Sequence, residues 1–305
     1  MSAIPQPAVA HDRVVPASGV AFGRILWACD FSAGSLRALR WVVPLARAAY
    51  GSEITALHVI PTSLPAAGGP LALTDPGLLR PGLRHDVSAR LDRCLGPAVA
   101  ASVPTHVVLR EGHPAQQILR EACSLPADLV VVGTRGRGGL ERSVMGSVAE
   151  AVLGRAPCPV LAVPAAAPPS TAGELPKVVL WATDFSRHAA NALPHALWIS
   201  ARSAADLVLV HVVEPGTLGD NRERIRAAEQ RLGEMGVALR GRRLLRIVGL
   251  GNPALEILRV ARERKAGLVV MGTQGSRTLH SVFFGSTARR VIRGAPCPVL
   301  AVPRA

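Results

Sequence analysis

Aromatic side chains are scarce: phenylalanine, tryptophan and tyrosine make up 3% of the 305 residues. Hydrophobic residues still reach 49%, so the cores must be built from Val, Leu, Ile and Ala. Lysine occurs only at Lys177 and Lys265, and no GK[ST] phosphate-binding motif is present. The cysteines Cys29, Cys94, Cys123, Cys158 and Cys297 are odd in number and show no CxxC or Cys/His spacing. That argues against a disulfide framework and against a metal site. No apolar run of 18 residues survives without proline or charge, so no membrane span is expected. Residues 1–20 lack the charged start, apolar centre and cleavage pattern of a signal peptide. A reducing cytoplasm is the expected location. No paired-carboxylate Mg2+ motif and no Ser/His/Asp motif occurs, and no catalytic residue is assigned.

The net charge is +14, carried almost wholly by arginine. Such a balance steers anionic partners toward the chain. It does not point to nucleic acid, because no aromatic residues interleave with the arginines as they do on stacking platforms. The densest cluster, Arg240–Arg246, reads as a solvated edge.

The most informative stretch is Asp128–Ser147, DLVVVGTRGRGGLERSVMGS. Its apolar run Leu129–Val132 has strand length and composition. The run ends at Gly133, further glycines follow at Gly136, Gly138 and Gly139, and Gly146–Ser147 opens a helical pattern. A strand, a glycine-rich loop and a helix start bring backbone N–H groups close to a ligand. The helix N-terminus adds unpaired donors and partial positive charge, which suits a phosphate. The same spacing, G-x2-G-x9-G-S, recurs at Gly272, Gly275, Gly285 and Ser286. Two structural alternatives stand beside this reading. The glycines can serve tight packing alone, and Ser147 with Glu150 can form a capping box.

Taken in order, residues 1–22 form a mobile tail. A strand at Arg24–Cys29 leads through Asp30–Phe31–Ser32 into a helix capped by Ser32 and ending near Tyr50. Strand Glu53–Ile60 and a Pro/Gly-rich loop from Pro61 to about Gly82 follow. Next come a helix near Arg84–Ala101, a strand near Thr105–Leu109, a helix Ala115–Cys123 with Pro114 in its first turn, the glycine stretch, and a strand at Val160–Val163. Residues 165–175 form a linker. The pattern then restarts. LWATDFS at Leu180–Ser186 repeats LWACDFS at Leu26–Ser32, GNPALEIL at Gly251–Leu258 repeats GHPAQQIL at Gly112–Leu119, and APCPVLAVP at Ala295–Pro303 repeats Ala156–Pro164 unchanged. The second copy is shorter mainly where the first has its Pro/Gly loop, and loops absorb deletions.

The chain is therefore read as a tandem duplication of one α/β domain, with domains at 23–164 and 176–305. Each is expected to be a Rossmann-like, five-stranded parallel sheet with helices on both faces. Ligands of such sheets sit beyond the carboxyl ends of the strands, where strand order reverses. The loops after the first and fourth strands should be neighbours there. Asp30 or Asp184 either reads the nucleoside end of a ligand or only caps the first helix. His58, His211, Trp27, Trp181, Cys158 and Cys297 read as core.

DFS after the first strand, HV(I/V) ending the second, G-x2-G-x9-G-(S/T) and PCPVLAVP together resemble the universal stress protein family in its tandem form, whose architecture is similar to that of adenine nucleotide alpha hydrolases. The resemblance implies ATP binding, with or without Mg2+. It implies a first site of Asp30, Val59, Gly133, Gly136, Gly146 and Ser147, with Arg137 and Arg142 available to neutralise phosphate. It implies a second site of Asp184, Val212, Gly272, Gly275, Gly285 and Ser286. Serines replace both of those arginines in the second copy, at Ser276 and Ser281, so weaker binding is expected there. The resemblance further implies pairing of the two domains through their last strands as a pseudo-twofold unit, and association of two chains. Function is expected to be nucleotide-dependent regulation of a stress response. Slow ATP hydrolysis and a nucleotide-free interaction module are the alternatives.

Overall fold

The computed structural model describes residues 20, 22–61, 81–135, 145–165, 167, 174–216, 220–239, 243–274 and 284–304. The first repeat runs β1 (Arg24–Ala28), α1 (Ala33–Ala48), β2 (Glu53–Ile60), α2 (Pro81–Ala100), β3 (Thr105–Glu111), α3 (Pro114–Ser124), β4 (Leu129–Gly133), α4 (Ser147–Arg155) and β5 (Val160–Val163). The second repeats it as β6 (Val178–Ala182), α5 (Arg187–Ser203), β7 (Asp206–Val213), α6 (Asn221–Ala238), β8 (Leu244–Leu250), α7 (Pro253–Glu263), β9 (Leu268–Gly272), α8 (Ser286–Gly294) and β10 (Val299–Val302).

Local signals account for several of these boundaries. Ser32 caps α1 by accepting from the Ser35 N–H at 3.2 Å, and Ser186 caps α5 by accepting from Ala189 at 3.2 Å. Each satisfies one of the helix's orphan amides. Pro114 and Pro253 occupy the first turns of α3 and α7, where a missing N–H costs nothing. Gly51, at φ +76°, turns the chain from α1 into β2.

The strands form one ten-stranded sheet in the order β3-β2-β1-β4-β5-β10-β9-β6-β7-β8. All pairings within a repeat are parallel. The join between repeats, β5 with β10, is antiparallel and sets Val299 opposite Ala162, Leu300 opposite Leu161 and Ala301 opposite Val160. In each half the chain winds outward from the central strand in both directions. The reversal therefore falls between β1 and β4 in one half, and between β6 and β9 in the other.

Burial on both faces explains the unbroken apolar strands: β4, β5, β9 and β10 have no solvent face. One apolar layer, under α1, α2 and α5, contains Trp27, Trp41, Leu161, Trp181, Trp198 and Leu300. The other, under α3, α4, α7 and α8, contains Val130, Met145, Val152, Val269, Phe284 and Val291. Both layers draw on both repeats. Trp27 and Trp181 are fully buried, and their indole N–H groups donate to Ser35 O (2.9 Å) and Ala189 O (3.1 Å), tying β1 to α1 and β6 to α5. Phe22, the last residue of the expected tail, is only 1% exposed. Its ring packs edge-on against Trp198 of the second repeat at 5.1 Å.

Candidate functional site

The loops after β1 and β4 do meet. The Ser32 hydroxyl donates to the Arg135 carbonyl at 3.2 Å. A Cβ added to Gly133 would stand 2.7 Å from the backbone of Gly34 and Ser35. A Cβ on Gly272 would stand 2.8 Å from the His188 carbonyl oxygen. These two motif glycines therefore let the strand end lie directly on the N-terminus of α1 or α5. Packing is one of their roles, alongside any approach to a ligand.

The long glycine loop begins and ends at one point. Gly146 N–H donates to Thr134 O at 2.8 Å, and Gly285 N–H donates to Thr273 O at 2.8 Å. Each helix start is thus held beside its strand end. Gly146 and Gly285 are the N-caps, in extended backbone and without a side-chain cap bond. Ser147 and Ser286 follow as the first helical residues. The capping-box alternative does not hold, because Ser147 lies inside the helix, and the Glu150 carboxylate is engaged by Arg289 at 3.1 Å. Gly136, Arg137, Arg142 and Gly275 lie outside the described residues.

Asp30 and Asp184 each accept from the backbone N–H two residues on, Ser32 and Ser186, at 3.0 Å. Neither aspartate is the helix cap, which is Ser32 or Ser186; each fixes the turn that leads into it. Burial raises the Asp30 pKa, but hydrogen bonds from Ser32 and Ser35 more than reverse this and leave it below the ordinary carboxylate value. The residue between, Phe31 or Phe185, has φ +61°, a conformation disfavoured for a bulky side chain. A histidine ring and an arginine contact each phenylalanine ring. Phe31 lies 4.8 Å from the His58 ring, with the Arg90 guanidinium 4.1 Å from its centroid. Phe185 lies 4.3 Å from His211, with Arg231 at 4.1 Å. The histidines are anchored in turn, His58 Nδ1 donating to Cys29 O (2.6 Å) and His211 Nδ1 to Thr183 O (2.9 Å). The sequence motifs contain the Phe and His, but the arginines come from α2 and α6, far along the chain, and only the fold brings them in.

In the second repeat the strand ends and the start of α8 line one open cavity of about 300 Å³, at the lower end of the range for small-molecule sites. Asp184, Val212, Gly272, Gly285 and Ser286, all the described residues expected at this site, border it. Val59 and Val212 are buried, at 7% and 9% exposure, so their backbone groups are what they can offer a ligand. Asn252, Ile257 and Arg290 also line the cavity and were not anticipated. The repeated GNP/GHP string was a signal for the first of these. Nothing in the sequence pattern flagged Arg290, which projects from α8 one turn after Ser286, where the first repeat has Ala151. Burial pushes the Cys29 thiol, beside the first site, up to about 12, so it is no nucleophile at neutral pH. Among the described residues no helix is long and apolar enough to cross a membrane.

Comparison with known proteins accords with this geometry. The universal stress protein family model matches residues 21–164 and again 176–303. A universal stress protein of Mycolicibacterium smegmatis is 30% identical over 295 residues, covering 91% of this chain and 96% of the relative. One from Methanocaldococcus jannaschii is 35% identical over 146 residues, covering 47% of this chain and 82% of the relative. The crystal structure of a universal stress protein from Archaeoglobus fulgidus superposes with a TM-score of 0.72 at 24% identity, over 93% of this chain and 99% of that one. With both repeats matched and the two-repeat architecture shared end to end, the chain belongs to the universal stress protein family.

Proposed function

We propose that the chain binds ATP at the carboxyl ends of both half-sheets and uses nucleotide occupancy to bias its conformation or its choice of partner in a cytoplasmic stress response. The observation that carries this is the second cleft, where Asp184, Val212, Gly272, Gly285 and Ser286 converge from four separate segments on one cavity. The cavity reaches the start of α8 at Gly285, Ser286 and Thr287, and a helix N-terminus suits a polyanion. Asp184 and the backbone of Val212 take the adenosine end, and Gly272, Gly285 and Ser286 hold ribose and phosphates. The first site uses Asp30, Val59, Gly133, Gly136, Gly146 and Ser147 in the same roles, with Arg137 and Arg142 against the phosphates. Mg2+, if bound, is held by the phosphates, since no carboxylate cluster is needed for it.

The repeats, 23–164 and 176–305, act as a pseudo-twofold pair. The antiparallel β5–β10 ladder supports this, because it sets Leu161 opposite its sequence equivalent Leu300. Two such chains associate further. The first site is the tighter one, with Arg290 offsetting part of the charge the second lacks. Calorimetric titration of the purified chain with ATP, after heat release and identification of any carried nucleotide, tests the proposal. Two binding events are expected. A flat titration with nucleotide in large excess, and no nucleotide released, overturns it.

A further inference from the structure

The identical strings at residues 156–164 and 295–303 set the equivalences between repeats in this region: 150 with 289, 154 with 293, 145 with 284 and 161 with 300. Where a surface pairs with its own equivalent across a twofold, a residue near the axis meets itself. Leu161 against Leu300 is such a position. Position 150 against 289 is another, but here the residues differ in sign. Arg289 Nη2 lies 3.1 Å from Glu150 Oε1, and Arg293 Nη2 lies 3.9 Å from Glu150 Oε2. All three side chains are more than half buried, and Arg289 Nε is fully enclosed.

The two charges do not suit their own helices equally. A glutamate in the first turn of α4 suits the helix dipole, but an arginine in the first turn of α8 opposes it. Arg289 therefore has a local cost, and its contact with Glu150 offsets it. The apolar part of the seam is just as one-sided. Gly154 leaves room for Phe284 of the other repeat, 3.9 Å from where its Cβ would be. The equivalents of these two residues are Arg293 and Met145.

We propose that this surface is built to accept the other repeat and to reject a second copy of the same repeat, with Glu150 against Arg289 and Arg293 as the discriminating contact. Two second repeats meeting through their last strands would crowd four arginines around the axis and set Arg293 against Phe284. Two first repeats would set glutamate against glutamate with neither arginine present. Like charges meeting across an interface suppress the wrong partner more strongly than an opposite pair adds affinity. The inference is independent of nucleotide binding.

The test uses the full chain and reads hydrogen exchange at the amides of Val160–Val163 and Val299–Val302. Glu150→Arg is expected to speed their exchange by about tenfold at low salt, because arginine then faces arginine across the seam. In about 1 M salt, where the screening length falls to about 3 Å, the part of that effect that reaches solvent should vanish, as steric damage would not. The double exchange Glu150→Arg with Arg289→Glu should return the rates to within about threefold of the parent. Glu150→Gln, which removes the attraction without adding repulsion, should have a clearly smaller effect than Glu150→Arg. If Glu150→Arg gives no folded protein, Arg289→Glu and the double exchange decide by the same criterion. Exchange at the parent rate in the single variants overturns the proposal. So does acceleration that neither salt nor the double exchange relieves, and so does a glutamine variant as disturbed as the arginine one.

Discussion

Leu161 and Leu300 stand directly opposite one another in the antiparallel ladder that joins β5 to β10, each 1% exposed. They are the same residue of the repeated unit, and together with Phe22, Trp41 and Ile199 they border one small apolar gap. The two repeats thus share a core at this point. Truncating either leucine to alanine should destabilise the whole chain by about 2–5 kcal/mol. Because the two sites border the same gap, the double variant should lose less than the sum. Urea unfolding of the three variants measures this; strict additivity would show that the two halves do not share packing there.

Gly133→Ala should destabilise by about 1–3 kcal/mol, since the new Cβ meets backbone atoms that cannot move aside as a side chain could. Gly233→Ala makes the contrast. Its Cβ would meet only the far end of the Arg246 side chain, at an ordinary 3.7 Å, and the site is inside α6, so it should stabilise by about 0.5–1 kcal/mol. Thermal unfolding of both variants compares the two; similar shifts would mean that the fit of β4 on α1 is not tight.

Burial lowers the His211 pKa from its ordinary value near 6.5, with the Thr183 carbonyl and Asp184 opposing, and burial lowers that of His195 in the same way. The unfolded chain then binds protons at these groups before the folded chain does. Stability should be intact above pH about 6.5 and be lost as pH falls from there toward the lower folded values. His211→Gln should flatten part of this slope. A stability profile level between pH 7 and 5 would contradict the assignment.

Burial pushes Cys29, Cys158 and Cys297 up to about 12, while Cys123 is exposed. A thiol reagent at neutral pH should modify Cys123 first in the native protein and reach those three only on unfolding. Rapid native labelling of Cys29, found by peptide mapping, would show that the β1 end beside Asp30 opens readily.

A carboxylate at the first position of a helix suits the helix dipole but repels phosphate. Ser147→Glu and Ser286→Glu should therefore fold normally and each abolish one of two ATP-binding steps. The step that remains in Ser147→Glu should be about tenfold weaker than the one that remains in Ser286→Glu. Equal affinities, or a tighter second site, would reverse the ranking drawn from Arg137 and Arg142.

Much of this molecule is legible one residue at a time. The caps Ser32 and Ser186, the first-turn prolines and the apolar runs mark the elements because each acts on its own neighbours. The duplication makes the candidate site visible in the sequence too, since DFS, HV and the two glycine strings recur in step. Less visible is what each glycine is for. Gly133 and Gly272 could serve a ligand or a neighbouring helix, and spacing cannot separate the two. Only the position of α1 and α5 shows the backbone pressed against them.

The one-dimensional order of the chain determined the elements, their repetition and the carboxyl-end placement of the loops, because periodicity and capping are local. Tertiary structure alone decided which distant groups share a space. Arg90 and Arg231 reach the Phe31 and Phe185 rings from helices far along the chain. Arg290 reaches the second cleft, and Glu150 leaves its own helix start to meet Arg289 of the other repeat. Contacts of this kind depend on how two surfaces fit together, and no stretch of sequence contains both surfaces.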